Sequence, residues 1–261
     1  MPLSNDELFR WLDIGWYKPE ISSIKTDLHN LPNLPGIYAI YISNRPRLYL
    51  YIGMTTETIY KRWTGYEEDH HQYEGLILLE EQGVRFSFKC WVFPPNSLLG
   101  IKRNNNGTSL KNVLATIEEK LIYNLSPLLN KHHNNNPNVE YDNWASWIIN
   151  YLKKQSTKKP IDLYTLEAEI YNVPKKPGIY IINSGVNISE STIIHAVYAE
   201  NLNKSLLKNR DSIIEQINKN IKILDKSPFI YYIGMPDNTG LQTLESIANE
   251  INRLYGKLWR F

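Results

Sequence analysis

Pro35-Gly36-Ile37-Tyr38-Ala39-Ile40-Tyr41, followed by Leu48-Tyr49-Leu50-Tyr51-Ile52-Gly53, is the stretch on which the reading of the fold turns. In both segments Tyr, Ile and Leu alternate or bunch between turn residues, the pattern of half-buried strands. The spacer Ser43-Asn44-Arg45-Pro46 is polar and carries a proline, so the two strands are expected to form a β-hairpin. Working outward, Thr58 or Thr56 can cap a helix with Ile59 and Trp63 on one face. Phe86 to Phe93 alternates and supplies a third strand. Leu114, Ile117, Leu121, Ile122 and Leu125 define the buried stripe of a helix that stops before Pro127. The expected unit is α/β of the α+β kind: a small, mostly antiparallel three-stranded sheet flanked by helices.

A Gly36-Ile37-Tyr38 strand paired with a Tyr51-Ile52-Gly53 strand resembles the GIY-YIG nuclease superfamily, small domains that cut nucleic-acid phosphodiesters. In that family an arginine lies on the helix after the second tyrosine, and Arg62 fills that place. The family's metal-binding glutamate stands ahead of a Leu-Ile pair and a Pro-x-x-Asn; here Glu118 precedes Leu121-Ile122 and Pro127-Leu128-Leu129-Asn130. Several relatives carry a lysine just after Tyr-Ile-Gly, where this chain has Met54. A restriction or homing type therefore matches at least as well as a repair type.

The resemblance implies a metal-dependent DNA endonuclease of restriction or defence type, with RNA the lesser alternative as target. Glu118 would hold one Mg²⁺ or Mn²⁺, and a single carboxylate suffices where the ion keeps several waters and takes a substrate phosphate oxygen. Arg62 would grip the scissile phosphate through its planar fork. Tyr38 and Tyr51 would face each other across adjacent strands, one positioning or deprotonating the attacking water. A free tyrosine titrates at about 10, so a tyrosine base requires Arg62 and the metal to depress its pKa. Tyr66, four residues past Arg62, stands where relatives place a tyrosine or histidine near the phosphate. Asn130 reads either as a helix end cap or as a substrate contact. Tyr41, Tyr49 and Tyr60 read as core aromatics, His70 and His71 as solvated residues or a substitute base. His132 and His133, among asparagines, lack a partner for a metal site. The reading from another class is a non-catalytic nucleic-acid-binding or assembly protein.

Composition bounds these readings. A hydrophobic share of 42% with 21% charged residues is globular, and 261 residues suit two domains. No apolar run is long enough for a bilayer and the start lacks a signal-peptide pattern, so a cytoplasmic protein with no membrane partner is expected. The single Cys90 leaves no internal disulfide and no cysteine zinc cage; it falls in the apolar set of its strand and reads as core. A net charge of +2 is weak for a nucleic-acid binder, so any basic footprint must be local.

Ser4 and Glu7 form a capping box ahead of Leu8, Trp11, Leu12 and Trp16, which predicts a helix over 4–17. A second short helix is expected over 21–28. Domain one is assigned to 1–131, a helical linker containing Trp144, Trp147 and Tyr151 to 132–160, and a second domain to 161–261. The second domain reads as a degenerate copy of the first: Asn30 to Tyr38 recurs as Asn172 to Tyr180, identical at six of nine places. Aligning Tyr198 with Tyr51 sets Asn209 opposite Arg62, and matching Ile247 to Ile117 sets Ala248 opposite Glu118. A one-residue slip would bring in Arg210, with Glu245 or Glu250 nearby. Tyr232-Ile233-Gly234 is expected on the third strand of this copy. Lys204, Lys208 and Arg210, with Lys219 and Lys222, form a basic stretch assigned to substrate binding. The tandem copy could stand in for a homodimer partner or coexist with one.

Overall fold

The computed structural model describes residues 16–17, 19, 21, 23–43, 45, 48–64, 71–92, 110–130, 141–154, 160–219, 227–237 and 239–256. The chain divides into two compact units, Met1–Val139 and Glu140–Phe261. Both are α+β with an antiparallel sheet, and no helix among the described residues is long and apolar enough to cross a membrane.

In the first unit the strands are β1 (Trp16–Tyr17), β2 (Gly36–Ile42), β3 (Tyr49–Thr55) and β4 (Phe86–Val92), in the order β1-β4-β2-β3. The hairpin forms as expected, with Tyr38 opposite Gly53 and Ile40 opposite Tyr51; Leu50 bulges out before Tyr41 meets Tyr49. β2 is buried on both faces because each is roofed. Ile37, Ala39 and Ile52 pack under Leu114, Ile117, Leu121 and Ile122 of α3 (Leu110–Leu125). Tyr38 on the other face meets Trp63 of α1 (Ile59–Thr64), edge-on at 5.6 Å, and Trp63 meets Phe88 at 5.5 Å. Burying one such Ile or Leu stabilises by roughly 1.5–3 kcal/mol. The helix α2 (His71–Glu81) follows α1, and Cys90 is buried in β4.

Three local expectations are corrected. Trp16 and Tyr17 are not helical: they form a fourth, two-residue edge strand, because their backbone groups pair with Trp91 and Cys90; positions 4–15 lie outside the described residues. The described residues of the helix expected over 21–28 form only turns, with a single 3₁₀ turn at Leu28–Asn30, because side chains take the backbone donors: Asp27 Oδ2 accepts from the Ser23 N–H and Ser23 Oγ from the Lys25 N–H, both at 3.1 Å. Tyr60 is not a core residue: it is 37% exposed on the outer face of α1, while Tyr41 and Tyr49 are half-buried.

The second unit contains α4 (Asp142–Lys154), β5 (Ile161–Asp162), α5 (Leu166–Glu169), β6 (Gly178–Ser184), β7 (Ile193–Ala199), α6 (Leu202–Lys219), β8 (Pro228–Gly234) and α7 (Leu241–Tyr255). Its sheet runs β5-β8-β6-β7, the same order as in the first unit. Gly178 pairs with Ala199 and Gly234 as Gly36 pairs with Thr55 and Val92, and Ile194 bulges where Leu50 does. Tyr232-Ile233-Gly234 lies in β8, on the third strand. α4, expected in a linker, belongs to this unit: its buried Trp144, Ala145, Ile148, Ile149 and Leu152 form one face that packs on α7 and β8.

Candidate active site

Two glycines explain why the strands can hold their tyrosines. A Cβ on Gly36 would lie 2.0 Å from the Trp91 carbonyl oxygen, so at this position only a glycine lets β2 come so close to β4. A Cβ on Gly53 would lie 2.5 Å from the Tyr38 hydroxyl. The Tyr38 ring therefore lies across the bare backbone of β3, and its hydroxyl is delivered to the outer edge of the sheet beside Tyr51, with ring centroids 6.1 Å apart.

Four of the expected residues meet at this edge. Thr58 caps α1, its Oγ1 accepting from the Lys61 N–H at 3.0 Å. This sets the helix so that Trp63 enters the core and Arg62 comes beside Tyr38, donating a hydrogen bond to the phenol. The Tyr38 and Tyr51 side chains are hydrogen-bonded to each other. Glu118, on the half-buried side of α3, accepts a hydrogen bond from the Met54 N–H and feels both Arg62 and Tyr51, whereas Glu119 faces solvent.

The titration behaviour shows what Arg62 does to the tyrosines by itself. Burial first, then the neighbouring Tyr51, pushes the Tyr38 phenol well above its ordinary value, and the Arg62 guanidinium does not offset this. Burial and the Glu118 carboxyl raise Tyr51 in the same direction. Arg62 alone thus does not depress either tyrosine, and burial favours the protonated form of both phenols. Burial pushes Glu118 up to about 7 against the pull of the Met54 N–H and Arg62. Among the described residues no three His, Cys, Asp or Glu side chains cluster as a metal cage. A single half-buried carboxyl such as Glu118 nonetheless fits a hard divalent cation that keeps most of its own waters.

Asn130 takes neither of its two expected roles. It is buried, and its amide closes both free backbone groups of Ile52: Oδ1 accepts from the Ile52 N–H at 2.9 Å and Nδ2 donates to the Ile52 carbonyl at 2.8 Å. The Leu128 and Leu129 N–H groups meet the Tyr49 and Leu50 carbonyls at 3.1 and 2.8 Å. The Pro127–Asn130 turn thus seals the edge of β3 up to Glu118, a solution to the exposed-edge problem that also holds Tyr51 in place. Ser126, with φ 41°, turns the chain out of α3 into this seal.

The second unit has the same strand order but other side chains at the corresponding edge, in a register that differs from the expected one. Strand pairing sets His195, not Tyr198, at the place of Tyr51, and Val197 at the place of Gly53. Both hairpins bulge at the corresponding place, so the difference lies in the connection, which is longer between Ser184 and Ile193 than between Ile42 and Tyr49. The helix caps Thr58 and Asn201 correspond, as do Ile59 and Leu202, whose N–H groups reach the Leu34 and Lys176 carbonyls. Ser205 therefore replaces Arg62, and Asn209 falls one turn later. Both lie near the Tyr180 phenol, Asn209 Nδ2 donating to it at 3.4 Å. Ala248 is buried, Glu245 is exposed and Glu250 pairs with Arg253. Asn252 repeats the Asn130 clamp on Ala196, with 2.7 and 2.8 Å bonds, but from within α7.

The expected basic stretch is thinner than its lysines implied. Arg210 pairs with Glu167 at 3.0 Å and donates to the Tyr164 carbonyl at 3.2 Å, and Lys219 pairs with Glu215. Lys204 and Lys208 are exposed on α6. Tyr66, His70, His132, His133 and Lys222 lie outside the described residues. Gln72 escaped the sequence reading: it is a buried amide on α2 donating to the Leu129 carbonyl at 3.3 Å. The signal available was a polar residue heading the apolar stripe Leu76, Leu79. No protein-family model, no curated protein and no solved structure matches the chain.

Proposed function

We propose that this protein is a metal-dependent endonuclease of the GIY-YIG type acting on DNA, with its reaction centre in the first unit. The observation that carries the reading is the convergence of Tyr38, Tyr51, Arg62 and Glu118, from β2, β3, α1 and α3, on one edge of one sheet. Core packing does not require a guanidinium, two phenols and a half-buried carboxyl to share a site. Together they supply a phosphate clamp, proton donors and an oxygen ligand for a cation.

In this reading Arg62 binds the scissile phosphate and the hydrogen-bonded Tyr38–Tyr51 pair orients the attacking water. As the water oxygen bonds to phosphorus and the bond from phosphorus to the leaving oxygen breaks, one phenol takes up the water's proton while the pair gives a proton up to the leaving oxygen, so no tyrosinate forms beforehand. Glu118 would hold Mg²⁺ or Mn²⁺, which when bound stabilises charge on the phosphate and leaving oxygen. The second unit, lacking the cation clamp and the carboxylate, serves to hold DNA or a protein partner. A non-catalytic reading draws on one observation: the bond from the Met54 N–H gives Glu118 a structural task in sealing β3.

Incubating supercoiled plasmid with the protein and Mg²⁺, with EDTA and Glu118→Gln as controls, separates the two readings. Cleavage is expected with Mg²⁺ alone. Equal cleavage by Glu118→Gln, or none under any divalent ion, would defeat the nuclease reading.

A further inference from the structure

Gln72 occupies the first position of the core-facing stripe of α2, with Leu76 and Leu79 fully buried one and two turns on. It is 4% exposed, its Nε2 donates to the Leu129 carbonyl, and its Oε1 has no hydrogen-bond partner. A buried primary amide that makes one bond of its possible four is a poor way to fill a core; an apolar side chain of equal volume would avoid the desolvation cost. The carbonyl it grips belongs to the residue before Asn130. Leu129 also donates its N–H to the Leu50 carbonyl at 2.8 Å, and Asn130 holds both backbone groups of Ile52, between Tyr51 and Gly53. An unbroken chain of contacts thus runs from α2 through Leu129 and Asn130 to the strand that carries Tyr51 and offers its Met54 N–H to Glu118.

We infer that Gln72 is a positioning residue for the reaction centre, tying α2 to the clamp that fixes the outer edge of β3. The inference rests on the nuclease reading for its catalytic consequence. Its structural part is independent of that reading. A catalytic group misplaced by a fraction of an ångström costs turnover without costing affinity, so the effect belongs in kcat.

The test uses the full chain carrying Gln72→Met, which conserves volume and removes the donor, and Gln72→Asn, which keeps the amide but shortens its reach. Leu76→Met on the same stripe is the packing control. Amide hydrogen exchange at Ile52 and single-turnover plasmid cleavage are measured for each. Both Gln72 variants are expected to speed exchange at Ile52 by about tenfold or more and to lower kcat by a similar factor with unchanged DNA affinity. Leu76→Met is expected to leave both unchanged. Unaltered Ile52 exchange overturns the inference, as does exchange that accelerates uniformly across the sheet, or full cleavage rate despite a loosened Ile52. If the wild-type protein cuts no DNA, the nuclease reading falls, and the Ile52 exchange alone decides whether Gln72 holds the edge.

Discussion

At the scale of the residue, Glu118 carries the sharpest expectations. Its folded-state value of about 7 lies above the ordinary 4.5, so folding favours the protonated form. Stability from this group is complete below pH 4.5 and lost as pH rises through about 7. Glu118→Gln, which can still accept from Met54, should therefore be more stable than wild type at pH 8 by about 1–2 kcal/mol after discounting for partial exposure, and equal to it at pH 4. Urea titrations at the two pH values check this. Mg²⁺ should reverse the order, stabilising wild type above pH 7 and leaving the Gln variant untouched, while Glu119→Ala behaves as wild type. The tyrosines give a second expectation. Because both phenols are held protonated by burial, cleavage should rise through pH 7 as Glu118 ionises and then level off. Tyr51→Phe should lower turnover far more than DNA affinity. A rate still climbing steeply above pH 9 would reinstate a tyrosinate base.

At the scale of the element, the hairpin and its seal behave as one piece. Gly36→Ala forces a methyl onto the Trp91 carbonyl, which is backbone and cannot yield, and should cost about 3 kcal/mol or abolish folding. Gly53→Ala meets only the Tyr38 ring and should cost less, about 1–3 kcal/mol, while displacing the phenol and removing activity. Denaturation midpoints and cleavage rates for the pair distinguish a packing glycine from one that makes room for a functional side chain. Asn130→Ala and Asn252→Ala each strip a strand edge of two bonds and should destabilise by about 1–3 kcal/mol. Only Asn130→Ala should also lower cleavage.

At the scale of the whole molecule, two sheets of the same order and register carry different side chains at the positions that matter. Tyr180→Phe and His195→Ala should leave cleavage unchanged. Of the described residues in the expected basic stretch, Lys204 and Lys208 are exposed on α6, and on the nuclease reading they would contact DNA phosphates. Changing both to Gln should weaken binding and reduce the salt slope by about two, from the loss of two phosphate contacts. Arg210→Gln should instead lower stability, since it releases Glu167 and the Tyr164 carbonyl, and should leave the salt slope as it was. Binding isotherms across a salt series separate the three variants.

The sequence alone determined what depends on local period and turn chemistry. Alternation marked β2, β3 and β4, the helical stripe through Ile117 and Leu121 marked α3, and Pro-Gly-Ile-Tyr marked the start of β6, because side-chain spacing along one strand or helix is set by its own geometry. The resemblance, not the spacing, singled out Glu118 over Glu119. What required the tertiary structure depends on contacts between distant segments. The bulges at Leu50 and Ile194, the edge strand of Trp16 and Tyr17, and the membership of α4 in the second unit follow from partners that no local pattern names. The exchange of Tyr51 for His195 was not legible along the chain, since the connection from Ser184 to Ile193 is longer than that from Ile42 to Tyr49 and only the strand pairing fixes which residues face each other. The protonation of Tyr38 and the clamping role of Asn130 are likewise tertiary. Burial sets the first and an unpaired strand edge the second, and neither exists until the sheet and its roofing helices have assembled.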